Sequence, residues 1–217
     1  MKIIDTLLDL LYPPRCPFCR RLLRKKEQLV CPDCLRTLRR VPESAQRREL
    51  KNITLAVAPL YYEGDVRASL LRYKFRGVTA YARVYADFIE KCIDENAISC
   101  DSITWVPLSR RRLRTRGYDQ AELLARELAK RTGLPCERLL VKTVNNRPQS
   151  RTGSAEKRRA NAAGVYACPC PDKLQGKRVL LVDDIMTTGA TVSECARVLK
   201  EAGCAEIYAA AAATRVL

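Results

Sequence analysis

A short apolar run that ends in two acids is the clearest element in the hydrophobic pattern of this chain. Residues 179–182 read Val-Leu-Leu-Val, and Asp183 and Asp184 follow directly. An unbroken apolar run of this length is typical of a strand buried on both faces of a parallel sheet. We therefore expect the two acids at the carboxyl end of that strand, where ligands bind in open α/β sheets.

The residues after the acids predict a tight loop and then a helix. Residues 187–191 read Thr-Thr-Gly-Ala-Thr, without a bulky side chain that would keep a small anion from the backbone. Thr191 and Glu194 match a capping box, and apolar residues recur at helical spacing until Gly203. A helix N-terminus attracts phosphate, so the loop is a candidate phosphate cradle. The alternative is an ordinary strand, turn and helix with two solvated aspartates.

Strands and helices alternate along the rest of the chain. The predicted strands cover residues 53–62 at the sheet edge, 102–106, 139–144, 163–167 and 206–212. Helices are predicted to start near residues 66, 78 and 119, and Asp119 with Glu122 caps the last of these. This alternation predicts an α/β fold: a parallel sheet with right-handed crossovers and helices on both faces.

Three polar segments interrupt the pattern. Residues 39–52, with Pro42 and Ser44, predict a linker. A boundary near residue 50 would separate an amino-terminal module, residues 1–50, from the main domain, residues 51–217. Residues 108–117 follow a strand and are expected to form a loop. Residues 145–161 contain almost no apolar side chains, which predicts either disorder or a functional lid.

Four of the eleven cysteines are spaced for a metal site. They form two Cys-Pro-x-Cys knuckles separated by eleven residues, and the predicted ligands are Cys16, Cys19, Cys31 and Cys34. Two such knuckles can close a tetrahedral site of four thiolates, which predicts structural Zn²⁺ and leaves iron as the alternative. A chance pairing of buried cysteines is the other interpretation. The remaining seven are expected to be ordinary core or surface residues.

The net charge of +16 is concentrated in three segments. Residues 1–50 carry +6, residues 108–116 carry +5 and residues 142–159 carry +5, while the rest of the chain is balanced. This concentration favours contact with a polyanion. Solvated charge runs are the alternative, since a phosphate ligand alone would recruit some of these arginines.

The amino terminus shows no targeting or membrane signal. Residues 1–11 have an amphipathic helical pattern without a basic n-region or cleavage site, and no uncharged apolar run approaches the roughly 20 residues of a membrane span. We expect no integral membrane segment and a cytoplasmic protein. The chain contains no histidine, which excludes a histidine base or zinc ligand.

The string from residue 179 to residue 191 resembles the 5-phosphoribosyl-1-pyrophosphate (PRPP) signature of type I phosphoribosyltransferases. That resemblance implies that Asp183 and Asp184 are the catalytic acids and hold the ribose hydroxyls, while residues 187–191 hold the 5-phosphate and Mg²⁺ accompanies the pyrophosphate. The PRPP-binding residues that it implies are Asp183, Asp184, Met186, Thr187, Thr188, Gly189, Ala190, Thr191, Ser109, Arg110 and Arg111.

A wider set of motifs resembles the ComF family. The set comprises the paired cysteine knuckles, a Leu-Arg-Tyr-Lys turn at 71–74, Val-Pro-Leu at 106–108, Arg-x-Arg-Gly-Tyr-Asp-Gln-Ala at 114–121, Arg-Pro-Gln at 147–149 and the PRPP string. The resemblance implies a zinc ribbon joined to a phosphoribosyltransferase-like domain, and a role in moving single-stranded DNA during natural transformation. It also implies a location peripheral to the inner membrane, with a helicase or the membrane DNA-uptake machinery as partner.

The nucleic-acid contacts are expected among the basic segments. The candidates are Arg110, Arg111, Arg112, Arg114, Arg116, Arg151, Lys157, Arg158 and Arg159. Aromatic residues lie among them, and base stacking could use Phe18, Tyr73, Phe75 or Tyr118, although core packing is the usual role of such side chains.

Three functions therefore stay open. The first is a protein that binds PRPP and single-stranded DNA. The second is an active phosphoribosyltransferase with an unidentified nitrogen acceptor. The third is an adaptor in which the zinc module docks a partner and the transferase fold is vestigial. The family is sometimes linked to glutamine amidotransferases, but Lys2 rather than a cysteine follows Met1, so ammonia production from glutamine is not expected.

Overall fold

The computed structural model describes residues 13–24, 29–143 and 164–215. The predicted amino-terminal helix and the long polar segment at 145–161 lie outside these residues, as do Arg151, Lys157, Arg158 and Arg159. The helices are α1 (Pro32–Thr37), α2 (Glu43–Gln46), α3 (Gly64–Phe75), α4 (Tyr81–Glu95), α5 (Arg110–Arg116), α6 (Gln120–Thr132) and α7 (Ala190–Glu201), with a 3₁₀ turn at Pro171–Leu174. The strands are β1 (Arg48–Leu50), β2 (Ile53–Val57), β3 (Leu60–Tyr61), β4 (Ser102–Trp105), β5 (Val141–Lys142), β6 (Tyr166–Ala167), β7 (Arg178–Met186) and β8 (Glu206–Thr214).

The main sheet has the strand order β1-β2-β8-β7-β4, and β3 also pairs with β8. Every pairing in it is parallel except the one between β1 and β2. Side chains alternate across β7, so Leu180 and Val182 lie in one hydrophobic cluster with α3, α4 and α6, whereas Val179 and Leu181 lie in a second cluster with α7. The predicted α/β fold with helices on both faces is therefore confirmed.

The predicted linker and edge strand are wrong in detail. Arg48–Leu50 lies in the segment expected to be a linker, yet it pairs with β2 and forms the sheet edge. The strand predicted at 53–62 is consequently interior, and it divides at Pro59 into β2 and β3. A domain boundary near residue 50 stays a prediction, although β1 just before it belongs to the main sheet.

The basic segment at 108–117 is a helix rather than the expected loop. The side chain of Ser109 accepts the N–H of Arg112 and caps α5, while Gly117 ends the helix at φ 79°. Arginine is a good helix former, so two caps suffice to order a short basic helix. The carboxylate of Asp119 accepts the N–H groups of Ala121 and Glu122, which confirms the predicted cap of α6.

Two further expectations need correction. Of the strands predicted at 139–144 and 163–167, only β5 and β6 form, and they pair with each other in a separate antiparallel ribbon. The predicted capping box requires Thr191 at the N-cap. The first residue of α7 is Ala190, however, and its N-cap is Gly189. Glu194 pairs with Arg197 at 2.8 Å and accepts the N–H of Gly164.

Within the described residues, no helix is long and apolar enough to cross a bilayer.

Candidate functional site

The two acids lie where β7 extends past its neighbour β4. The β4 pairing ends at Val182, so Asp183 and Asp184 lie beyond it toward the carboxyl end of the sheet, while β7 itself continues to Met186. Asp183 Oδ1 accepts the N–H of Asp184 at 2.8 Å, and Asp184 Oδ1 lies 2.9 Å from Lys74 Nζ. Burial, and then the neighbouring carboxylate of Asp184, hold the pKa of Asp183 well above its ordinary value. A ligand that offers hydroxyls or a cation would relieve this repulsion.

Lys74 belongs to the last turn of α3, and each residue of that turn has a separate partner. Arg72 Nη2 donates to the carbonyls of Pro17 at 2.6 Å and Phe18 at 3.1 Å. The Tyr73 hydroxyl donates to the Gln120 carbonyl at 2.7 Å. This turn therefore joins the first cysteine knuckle to the acid pair, a connection that the sequence motif at 71–74 does not reveal.

Residues of β1 hold the loop after the acids in place. Gly189 adopts φ 74°, and a Cβ built on it would lie 2.5 Å from a methyl carbon of Leu50. Arg48 Nη1 donates to the Thr187 carbonyl at 3.0 Å and to Thr214 Oγ1 at 2.8 Å. Glycine is thus required at this point both for its backbone conformation and for the close approach of Leu50. Neither Arg48 nor Leu50 is recognisable as a support of the loop from sequence alone.

The wall opposite the loop is built from α5 and the start of α6. The carboxylate of Asp119 accepts the Leu108 N–H at 2.8 Å, and burial raises its pKa to about 6. Arg116 Nη1 donates to Gln120 Oε1 at 2.6 Å, and burial lowers the pKa of this guanidinium. These contacts fix the chain just before α5 and the last residue of α5 against the start of α6.

These elements enclose one cleft of about 1340 Å³. It collects every residue predicted to bind PRPP except Arg110, which lies on α5 outside the lining. Of the candidate nucleic-acid residues, Arg111, Arg112 and Arg116 line the cleft, whereas Arg110 and Arg114 do not. Residues not predicted for the site also line it, and among them are Lys74, Lys142, Tyr166 and Arg215. Phe75 and Tyr118, two of the aromatic candidates for base stacking, line it as well.

The four predicted metal ligands meet in a second site. The Sγ atoms of Cys16, Cys19, Cys31 and Cys34 all lie within 4.8 Å of one another. Tetrahedral zinc with Zn–S bonds of about 2.3 Å places its sulfurs about 3.8 Å apart, so the cluster fits a four-thiolate ion. The knuckle backbone is ordered by the Cys16 N–H, which donates to the Arg21 carbonyl at 2.8 Å.

The cysteine site is packed onto the main domain. The ring of Phe18, between the first two cysteines, lies edge-on to Tyr85 and Phe88 of α4, with centroids 6.2 Å apart in both cases. Phe18 is 2% exposed and belongs to the same hydrophobic cluster as α3, α4 and α6. The module therefore shares its core with the domain that carries the crevice.

Comparison with known proteins finds both parts of this arrangement. Residues 113–215 match the model of the phosphoribosyl transferase domain, and residues 7–46 match that of the double zinc ribbon domain. The chain is 35% identical over 108 residues to competence protein F of Haemophilus influenzae, a match that covers 49% of this chain and 47% of that protein. Over about half of its length, the chain is therefore similar to a ComF competence protein.

The chain is also similar to two further proteins. Competence protein ComFC of Bacillus subtilis is 29% identical over 192 residues, 87% of this chain and 72% of that protein. The DNA utilization protein YhgH of Salmonella typhi is 34% identical over 107 residues, 49% of this chain and 46% of that protein. The match thus spans about half the length of two of these relatives. The zinc ribbon match and the clustered thiols together support structural zinc.

Proposed function

We propose that the crevice binds PRPP, or a related ribose phosphate, with Mg²⁺, and that the basic surface beside it binds single-stranded DNA in a ComF-like role in DNA uptake. The observation that carries this proposal is the convergence of three features on one cleft: the acid pair, the Thr-Thr-Gly-Ala-Thr loop and the arginines of α5. The role in DNA uptake rests on the competence and DNA-utilization proteins to which the chain is related.

The acid end of the crevice suits a ribose with a metal-bound pyrophosphate. Carboxylate oxygens accept hydrogen bonds from a diol, and Mg²⁺ is usually held by one or two carboxylates together with substrate phosphates. Lys74 supplies only one positive charge beside the two acids, so a bound cation would favour the ionised form of Asp183 as well.

The two walls suit the phosphates of the same ligand. The first N–H groups of a helix have no partner inside the helix, and a phosphate in the loop before Ala190 would lie at the start of α7. Across the cleft, Arg111 and Arg112 supply guanidinium groups for the pyrophosphate. The ligand would thus span the cleft between a backbone cradle and an arginine wall.

Calorimetry with PRPP and MgCl₂ tests the crevice directly. We expect the zinc-loaded wild type to bind. The Asp183→Asn/Asp184→Asn variant should show no measurable binding, because it removes the negative charge of both side chains. Asp172→Asn, which removes an exposed carboxylate from the 3₁₀ turn, is the matched control. Unchanged binding in the double variant would refute the assignment of the acids.

Oligonucleotide binding at several salt concentrations tests the basic surface. We expect Arg110→Ala/Arg111→Ala/Arg112→Ala to weaken binding and to reduce the slope of log K against log salt by about 0.7 for each phosphate that is no longer neutralised. Arg83→Ala/Arg126→Ala/Arg138→Ala removes the same charge from exposed sites on other elements and serves as the control. Equal losses of affinity in both variants would mean that net charge alone drives binding.

An active transferase is the second candidate, and the size of the cleft favours it. A volume of about 1340 Å³ exceeds the roughly 300–1,000 Å³ of most small-molecule sites, so an acceptor could lie beside PRPP. Pyrophosphate release from PRPP across a panel of nucleobases, amines and oligonucleotides tests this. Release no faster than the spontaneous rate with every acceptor would leave binding as the function. A helicase or membrane partner, and a location at the inner membrane, stay predictions.

A further inference from the structure

The structure separates the aromatic residues that lie among the basic segments. Phe18 and Tyr73 are 2% and 0% exposed, and both pack in the core. Tyr118 is half-buried, and its hydroxyl donates to the Tyr73 carbonyl. Phe75, in contrast, is 64% exposed. Of these four rings, Phe75 alone offers a large surface to a ligand.

Phe75 is also held in a defined position. It is the last residue of α3, and the guanidinium carbon of Arg116 lies 4.8 Å from its ring centroid. Arg116 is itself fixed by Gln120, whose side chain is 1% exposed. Ring and guanidinium therefore form a cation–π pair at the wall of the cleft, and most of Phe75 is still exposed.

The helix beside this pair presents positive charge on two opposite sides. Arg111, Thr115 and Arg116 line the cleft, while Arg110 and Arg114 fall a full turn apart on the other side of α5. No residue of α5 is buried. The helix that carries Arg116, the partner of Phe75, therefore offers guanidinium groups to phosphates on both of its sides.

We propose that Phe75, beside Arg116, is a stacking site for a base of single-stranded DNA at the mouth of the crevice, with the adjoining phosphates on the arginines of α5. The proposal rests on the proposed DNA binding and adds to it a base-contacting residue. Stacking on an aromatic face tolerates every base, which suits a protein that handles DNA regardless of sequence. Charge complementarity between α5 and a strand of phosphates selects nucleic acid as the occupant.

The test compares a base with a missing base. Affinities of the full, zinc-loaded chain are measured for a short oligothymidylate and for an abasic strand of equal length. We expect Phe75→Ala to weaken binding of the oligothymidylate roughly 5- to 150-fold, the range expected when a base no longer stacks on an aromatic ring. Binding of the abasic strand and the salt slope should not change, because phosphate contacts are retained.

Two variants guard against indirect effects. Phe75→Trp keeps an aromatic face and should retain the preference for the base-containing strand. Leu113→Ala removes an exposed apolar side chain, 39% exposed, from the same neighbourhood and should leave that preference intact. Zinc content and thermal unfolding confirm that each variant is folded.

The possible outcomes distinguish failure of the stacking site from failure of the proposed DNA binding. If wild type and Phe75→Ala discriminate equally between the two strands, stacking on Phe75 is refuted while the proposed DNA binding stands. If the wild type binds neither strand, both the DNA part of the proposed function and the stacking site are refuted, whereas PRPP calorimetry still reports on the crevice. An equal loss of affinity for both strands would assign Phe75 to folding of the rim rather than to base contact.

Discussion

The cysteine cluster and the crevice are built in opposite ways. All four thiols come from one stretch of chain, residues 16–34, and the site is complete within it. The crevice takes its acids from β7, its cradle from the start of α7, its cations from α3 and α5, and its support from β1. A metal site made of local knuckles can be read from spacing, whereas the balance of charge in the crevice depends on residues that are distant in sequence.

The two regions are nevertheless connected through α3. Arg72 contacts the first knuckle and Lys74, two residues later, contacts Asp184. Arg72 Nε is buried without a hydrogen-bond partner, so the position of this guanidinium is set by the knuckle carbonyls. Loss of metal should therefore also disturb the crevice.

Removal of a zinc ligand is expected to have the largest effect. Cys31→Ser should lose stoichiometric zinc and several kcal/mol of stability, since binding to small zinc peptides is worth roughly 10–16 kcal/mol and Phe18 would lose its fixed place against α4. Metal analysis and urea unfolding measure this. Cys170→Ser, at an exposed cysteine outside the cluster, is the control. A metal-free Cys31→Ser protein of wild-type stability would show that the module is only an appendage.

Loss of the lysine in the crevice should come next. Lys74 and Asp184 are 18% and 13% exposed, so Lys74→Met leaves a poorly solvated carboxylate beside Asp183. We expect a cost of about 3–5 kcal/mol in the free energy of unfolding, the usual penalty for breaking a buried pair. The double variant Lys74→Met/Asp184→Asn should regain most of it. If both variants are equally destabilised, the effect reflects packing of the lysine rather than unpaired charge.

The loop at residues 187–191 provides a smaller and more local comparison. Gly189 and Gly117 have similar φ values, 74° and 79°, but only Gly189 has a neighbour where a Cβ would lie. Alanine at either position costs about 1–2 kcal/mol for the left-handed backbone, and Gly189→Ala should cost about 1 kcal/mol more because Leu50 must move. Unfolding of both variants, and of Gly189→Ala/Leu50→Ala, measures the difference. Equal destabilisation at the two glycines would mean that Leu50 moves freely.

The smallest effect concerns pH. The pKa of Asp119 is raised to about 6 in the folded protein, against about 3.9 in an unfolded chain, so folding favours the protonated acid. Its contribution to stability is complete below the lower value and is lost as pH rises through about 6, by about 1 kcal/mol between pH 5 and 7.5. The free energy of unfolding is measured against pH for the wild type and for Asp119→Asn. The difference between the two curves removes the contribution of the thiols, which titrate in both proteins. If the wild type instead gains stability relative to Asp119→Asn as pH rises, the pKa of Asp119 is lowered by folding and the prediction is wrong.

The predictions made from sequence succeeded where the signal is local. The ligand cysteines, the buried strand with its acids and the cap at Asp119 are each specified by residues within one or two turns of each other. The loop expected at 108–117 failed for a reason that is also local. The run of arginines was interpreted as a loop, although both caps of a helix, Ser109 and Gly117, are present in the sequence.

Only the tertiary structure decided the rest. Hydrophobic periodicity reports which face of an element is buried but not which element covers it. It therefore could not show that Arg48 would reach a loop nearly 140 residues away, or that Lys74 would pair with Asp184. The exposure of Phe75 follows in the same way from the placement of α5 beside the end of α3. The sequence by itself determined which groups could bind metal and phosphate. The packing of distant elements determined which charges neutralise them and which surface stays open to a ligand, because burial and ion pairing depend on distance in space.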